Sequence, residues 1–263
     1  GKTKPITETN DSTAIFNTER VDVPADPKIQ VVDNMKLVDQ SRQDVHKLRT
    51  MPTVSFATPK DISHIGCWNV RTMYDTGKAA QVAREMNNYQ CTLLGLSEVR
   101  WTGFGRVRLA TGESIIFSGR SDNLHRGGVA LMLSRKAEQA LLEWQPVNER
   151  IIRERFYSRF IKTTVIQIYA PTENSSDEEK DTFYDQLQSV YDKTPKHDVK
   201  IIMGDFNAKV GMDNSGHEDT MGKHGLGVKN DNGERMLQFC EMNNLVITGT
   251  VFPYKNIHKA TWT

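Results

Sequence analysis

The sequence predicts an α+β fold in which two β-sheets pack face to face and helices cover their outer sides. Two observations lead there. Many candidate strands are continuous apolar runs rather than alternating ones, and such strands are buried on both faces. Strands also outnumber helices, so one sheet built by simple strand–helix alternation does not fit. Two facing sheets with outer helices bury both faces of each sheet.

Residues 1–60 are polar and carry Pro5, Pro24, Pro27, Pro52 and Pro59. Only "VVDNMKLVDQSRQDVHKL" has a helical pattern there, and we expect a largely disordered or loosely attached leader. The folded domain is expected over 61–263. "ISHIGCWNV" reads as its first strand. "GKAAQVAREMNNY" reads as a helix, because Ala79, Val82, Ala83, Met86 and Tyr89 recur at helical spacing. "TLLGLSEV", "ESIIFSG", "GGVALMLS", "RIIRERF" and "TTVIQIYA" follow as strands, with "SRKAEQALLEW" a short helix among them. Ser176 and Glu179 have capping-box spacing and open a helix whose apolar face is Phe183, Leu187, Val190 and Tyr191. "VKIIMGDF" is the next strand. Asp231 and Glu234 suggest a second capping box for the helix "GERMLQFCEMNN", and "LVITGT" follows as a strand. No internal repeat is present.

Composition excludes several classes. At 263 residues the chain can bury a substantial core. A net charge of +1 gives no global basic field, though a local basic groove is compatible with it. Cys67, Cys91 and Cys240 are odd in number and widely spaced, which argues against a disulfide framework and a structural zinc site. A reducing compartment, nucleus or cytoplasm, is expected. No apolar run approaches the roughly 18 residues that span a bilayer, and the N-terminus lacks the apolar centre of a secretory signal.

Several strands end on residues that can bind phosphate or a hard cation: Asn69 and Arg71, Glu98 and Arg100, Tyr169, and Asp205 with Asn207. Asp205 and Asn207, two apart on a strand, share one face. A carboxylate there can orient or deprotonate water, and an amide beside it can donate to a developing phosphorane oxygen. Glu98 and Asn69 offer hard oxygen ligands suited to Mg²⁺. The Tyr169 phenol can donate to a phosphate oxygen. Singly, each has an ordinary reading as a turn residue, surface charge or packed aromatic. Together they imply metal-assisted hydrolysis of a phosphodiester or phosphomonoester.

These residues, in this order, resemble the endonuclease/exonuclease/phosphatase superfamily over roughly 62–263. The segments "WNVRTMYDTGKAAQVAREM", "GLSEVRWTG", "MGKHGLGVKNDNGERM" and "NIHKATW" look more narrowly like the endonuclease domain of RTE-type non-LTR retrotransposons. The resemblance implies a four-layer αββα sandwich and nicking of DNA with Mg²⁺, or with Mn²⁺ in its place. It assigns Asn69 and Glu98 to the metal, Asp205 to the attacking water, and Asn207 and Tyr169 to the scissile phosphate. Thr261 and Trp262 align with a segment near bound DNA.

The resemblance also implies a later Asp-His pair and a final Ser-Asp-His, whose His is needed for turnover. The chain stops at "KATWT" and begins without Met, so we expect a C-terminally truncated copy of a longer protein. The alternative is a catalytically incomplete remnant that binds DNA or a protein. A phosphatase acting on lipid or inositol phosphates is a third reading. The expected partner is DNA; no membrane association is expected, and the protein is expected to be a monomer. Arg71, Arg100 and Arg126 are candidate phosphate contacts. The Gly-rich segment 209–233 reads as a DNA-facing loop; His217, Glu218, Asp219 and His224 have no regular zinc-ligand spacing. Trp101, Phe104 and Arg106 read either as another such loop or as a local hydrophobic cluster.

Overall fold

The apolar runs become strands, and the strands collect into two sheets. The computed structural model describes residues 63–253 and, ahead of them, 29–33, 45–47, 52 and 54–57. In chain order the elements are β1 (Ile29–Asp33), β2 (His46–Lys47), β3 (His64–Asn69), α1 (Lys78–Asn88), β4 (Cys91–Ser97), β5 (Phe104–Leu109), β6 (Ser114–Ser118) and β7 (Val129–Leu133). Then come α2 (Arg135–Ala140), β8 (Leu141–Pro146), β9 (Ile151–Phe156), β10 (Thr163–Tyr169), α3 (Asp177–Asp192), β11 (Val199–Asp205) and α4 (Asp231–Met242). One sheet has the order β1-β5-β6-β7-β4-β3, with β3 parallel to β4 and the other pairs antiparallel. The other has the order β11-β10-β9-β8-β2. The expected α+β class with two sheets is what the chain adopts.

The chain divides into two compact units. Among the described residues, the larger holds those up to Tyr169 and 190–204; the smaller holds 170–189 and 205–253. In the larger unit the two sheets face each other across Leu93, Ile116, Leu131, Leu133, Ile152, Phe156 and Val165, which are all fully buried. The helix α1 buries Ala79, Val82, Ala83 and Met86 as its spacing predicts, whereas Tyr89 is its exposed C-cap. In the smaller unit α3 and α4 pack on each other through Tyr184 and Phe239, Gln188 and Asn243, and Lys180 and Asp231. Ser176 Oγ accepts the Glu179 N–H, as the capping-box spacing implies.

Four local readings change. "SRKAEQALLEW" is a helix only to Ala140. From Leu141 it is strand β8, because pairing with β9 buries Leu141 and Trp144 in the core. Phe104 and Arg106 belong to β5 rather than to a loop. "LVITGT" holds a 3-10 turn, Thr248–Thr250, with Ile247 bridging to Met221. The α4 cap is Asn230, whose side chain accepts the Gly233 N–H, one residue before the expected Asp231. Within the expected leader, β1 pairs with β5 and β2 with β8. Phe56, also there, is 2% exposed and stacks on Phe156.

Among the described residues, no helix is long and apolar enough to cross a membrane. Cys91 and Cys240 are buried thiols, and burial pushes them up to about 11 and about 12. In the 209–233 segment Met221 is buried, and His217 Nδ1 meets the Glu241 carboxylate.

Glu154 stands apart. It sits mid-strand in β9, opposite Trp144 and Val165, with no exposure and no hydrogen-bond partner for either carboxylate oxygen among the described residues. Burial raises its pKa well above the ordinary 4.5, and the Arg106 charge opposes the shift only in part. The folded chain therefore keeps a proton that the unfolded chain releases. That contribution to stability is complete below the unfolded value and is lost as pH rises toward the raised folded one. Glu154→Gln removes this dependence. Thermal melts from pH 5 to 8 should show the parent losing stability relative to the variant as pH rises; parallel curves would refute the assignment.

Candidate active site

The parallel register of β3 and β4 sets Asn69 beside Ser97, so Glu98 leaves its strand next to Asn69. Asn69 Nδ2 donates to Glu98 Oε1 at 2.8 Å, and the Tyr169 hydroxyl donates to the same oxygen at 3.1 Å. Three strand ends, from both sheets of the larger unit, thus meet at one carboxylate. Arg100 Nη2 lies 3.5 Å from Glu98 Oε2, and the Glu98 side chain is 20% exposed. Asn69 Oδ1 accepts the Arg71 N–H at 3.0 Å, so its oxygen serves its own turn and its nitrogen serves Glu98. Asn69 thus orients the Glu98 carboxylate.

Tyr169 is held from three directions by Arg150. The Arg150 carbonyl accepts its N–H at 2.9 Å, Arg150 Nη1 donates to its carbonyl at 3.2 Å, and the guanidinium carbon lies 5.5 Å from the ring centroid. Beneath this cluster, Gln167 Nε2 of β10 donates to Ser97 Oγ of β4 at 3.2 Å, and Ser97 Oγ donates to the Ile168 carbonyl at 3.2 Å. A Cβ at Gly95 would come within 2.0 Å of Gln167 Oε1, so only glycine leaves room for this crossing.

The smaller unit carries the second group. Asp205 is 1% exposed and its Oδ1 accepts the Asn207 N–H at 3.0 Å. Asn207 Nδ2 donates to the Ala170 carbonyl at 2.9 Å. Asn207 Oδ1 is buried without a hydrogen-bond partner among the described residues. Asn232, 1% exposed, donates to the Pro171 and Asn207 carbonyls at 3.0 and 2.9 Å. Asn230 Oδ1 accepts the Lys209 and Gly233 N–H groups. Two asparagines at the start of α4 thus fix the segment that follows Asp205.

The larger unit brings together Asn69, Glu98, Tyr169, Arg71 and Arg100. The smaller one brings together Asp205 and Asn207. Arg126 is exposed and follows His125, whose Nδ1 donates to the Arg100 carbonyl at 2.9 Å. Thr261 and Trp262 lie outside the described residues. Arg71, Glu98, Arg100 and Asn207 all have positive φ, at 58, 57, 57 and 47°. Side chains other than glycine rarely adopt that region, and such strain concentrates where function requires it. Sequence reasoning missed Arg150, Asn232, Ser97 and Gln167. The last two had a signal, a polar residue inside an otherwise apolar strand.

A divalent cation fits Glu98 by its chemistry: a carboxylate beside solvent, with hydrogen-bond donors that fix its orientation. Among the described residues no group of three or more His, Cys, Asp or Glu forms a closed cage. A cation here would keep much of its own water.

The Endonuclease/Exonuclease/phosphatase family matches residues 66–257, and the chain belongs to that family. Craniofacial development protein 2 of Bos taurus is 40% identical over 199 residues, covering 76% of this chain and 33% of that protein. Its counterpart in Tragulus javanicus is 39% identical, covering 76% of this chain and 34% of that one. The chain thus spans about a third of the length of these relatives. Among solved structures, the endonuclease domain of TRAS1, a telomere-specific non-LTR retrotransposon, superposes with a TM-score of 0.46 at 15% identity, covering 69% of this chain and 70% of that one. The AP endonuclease LMAP from Leishmania major gives 0.49 at 10% identity, covering 75% and 72%.

Removing the Asn232 amide leaves two buried carbonyls without their donor. Asn232→Leu should cost about 1–3 kcal/mol in urea unfolding; an unchanged midpoint would refute the bracing role. Gly204 and Gly216 both have positive φ, +135° and +79°, but a Cβ at Gly204 would lie 2.0 Å from the Ile168 carbonyl oxygen, whereas one at Gly216 meets open space. Gly204→Ala should therefore destabilise far more than Gly216→Ala in the same measurement.

Proposed function

We propose that the chain hydrolyses phosphodiester bonds in DNA with a divalent cation, Mg²⁺ or Mn²⁺ in its place. The observation that carries this reading is the Glu98 carboxylate, oriented by Asn69 and Tyr169 at a strained turn. Glu98 would hold the cation, with Asn69 fixing the carboxylate. When bound, the cation supplies positive charge that stabilises the negative charge developing on the phosphoryl oxygens. Asp205 takes the proton of the attacking water. Asn207 Oδ1, an acceptor in need of a donor, orients that water. Tyr169 turns its phenol from Glu98 to a phosphate oxygen, and Arg150 keeps the ring in place meanwhile. Arg71, Arg100 and Arg126 bind flanking phosphates, and Thr261 and Trp262 extend the DNA contact. The protein acts as a monomer in the nucleus or cytoplasm, where its thiols stay reduced.

A plasmid-nicking assay on the full-length protein tests this. Asp205→Ala should lower nicking roughly 10²–10⁴-fold. Glu98→Gln should abolish it. Asn69→Ala, acting through Glu98, should lower it roughly 10–100-fold and raise the Mg²⁺ concentration needed. Parent-level nicking by Asp205→Ala, or nicking in excess chelator, would overturn the mechanism.

A further inference from the structure

Tyr74 exposes 63% of its surface although it sits in an anchored segment. On one side Met73 is 3% exposed, its N–H bonds the Val99 carbonyl at 3.0 Å, and its carbonyl accepts Trp101 Nε1 at 3.0 Å. The Tyr74 N–H itself donates to Thr72 Oγ1 at 3.0 Å. The ring meets His125 with centroids 4.4 Å apart and planes 53° apart. His125 is fixed in turn: its Nδ1 donates to the Arg100 carbonyl, and the Arg100 N–H bonds the Gly127 carbonyl at 2.8 Å. Both rings are thus fastened to the turn that carries Glu98, and both face solvent.

Their surroundings are cationic. Arg71 and Arg126 are exposed, and the Arg100 side chain is 45% exposed. Asp122 is taken up by Arg120, which holds its carboxyl down at about 2; Asp75 is the exposed acid on the Tyr74 loop. An exposed, pre-oriented aromatic pair among arginines suits one chemistry best, a flat π-face joined to an anionic backbone.

We propose that Tyr74 and His125 form a stacking platform for an unpaired nucleobase of the DNA strand, with Arg71, Arg100 and Arg126 on its neighbouring phosphates. This rests on the nuclease reading and adds to it a preference for strands whose bases are already unstacked. In an intact duplex both faces of every internal base are covered, so the platform gains nothing from it. At a gap, mismatch or single-stranded end one face is open.

The test uses DNA carrying 2-aminopurine, either in a single strand or as one unpaired position in a duplex, with the full-length protein in excess chelator. The parent should quench its fluorescence on binding. Tyr74→Ala should weaken binding of the unpaired-base DNA roughly 5–100-fold and remove the quench. Tyr74→Phe should retain both, and Tyr74→Leu, which keeps apolar bulk without a flat ring, should resemble Tyr74→Ala. Binding of fully paired duplex, read by anisotropy, should change less than threefold in every variant. Melting temperatures of all variants establish folding. Undiminished quenching by Tyr74→Ala, parent-like binding by Tyr74→Leu, or equal losses on paired and unpaired DNA would each overturn the platform. Binding is read in excess chelator, where no nicking is expected, so failure of the platform and failure of cation-dependent nicking are told apart.

Discussion

The geometry of the larger unit depends on one crossing between its sheets, where the Gln167 side chain enters the space that Gly95 leaves open. There it meets Ser97, and Ser97 holds the Ile168 carbonyl. Apolar packing between sheets is tolerant of sliding, because dispersion has little direction. Hydrogen bonds through fully buried side chains are not tolerant, since a slip would strand polar atoms in the core. The crossing lies one residue before Glu98 on one strand and two before Tyr169 on the other. It therefore fixes where two sheets deliver their terminal side chains, and the hydrogen bond between Tyr169 and Glu98 follows from that register.

Above the crossing the backbone takes up the strain. Glu98 and Arg100 both adopt positive φ, and so does Arg71 across from them. Each distortion turns a side chain away from the path its strand would give it. The core tolerates them because β4 and β10 are anchored by residues buried on both faces. In the smaller unit Asn207 repeats the pattern, with Asn232 as the brace.

Much of this was legible in the sequence. Apolar runs pointed to β3, β4, β6, β7, β9, β10 and β11 but not to β1, β2, β5 or β8, and helical spacing pointed to α1 and α3. Polar residues at strand ends marked Asn69, Glu98, Tyr169, Asp205 and Asn207. What escaped was decided by long-range contact. Leu141 to Trp144 has good helical residues, but β9 offers pairing that local propensity does not register. Arg150 gains its place only because β9 runs beside Tyr169. The orientation of the Asn69 amide depends on the Arg71 turn, which no spacing rule describes. Glu154 shows the converse: a charged residue in an apolar strand reads as surface, yet the strand is covered on both faces.

The asparagines that open α4 have a chemical consequence. Asn232 precedes Gly233, the dipeptide most prone to lose its side-chain nitrogen by ring closure onto the next amide. Here the Gly233 N–H that would attack is committed to Asn230, and the Asn232 carboxamide is committed to two carbonyls. The contacts that brace the loop also shield it from this ageing reaction. Local unfolding of the first turn of α4 would expose a deamidation clock otherwise kept stopped.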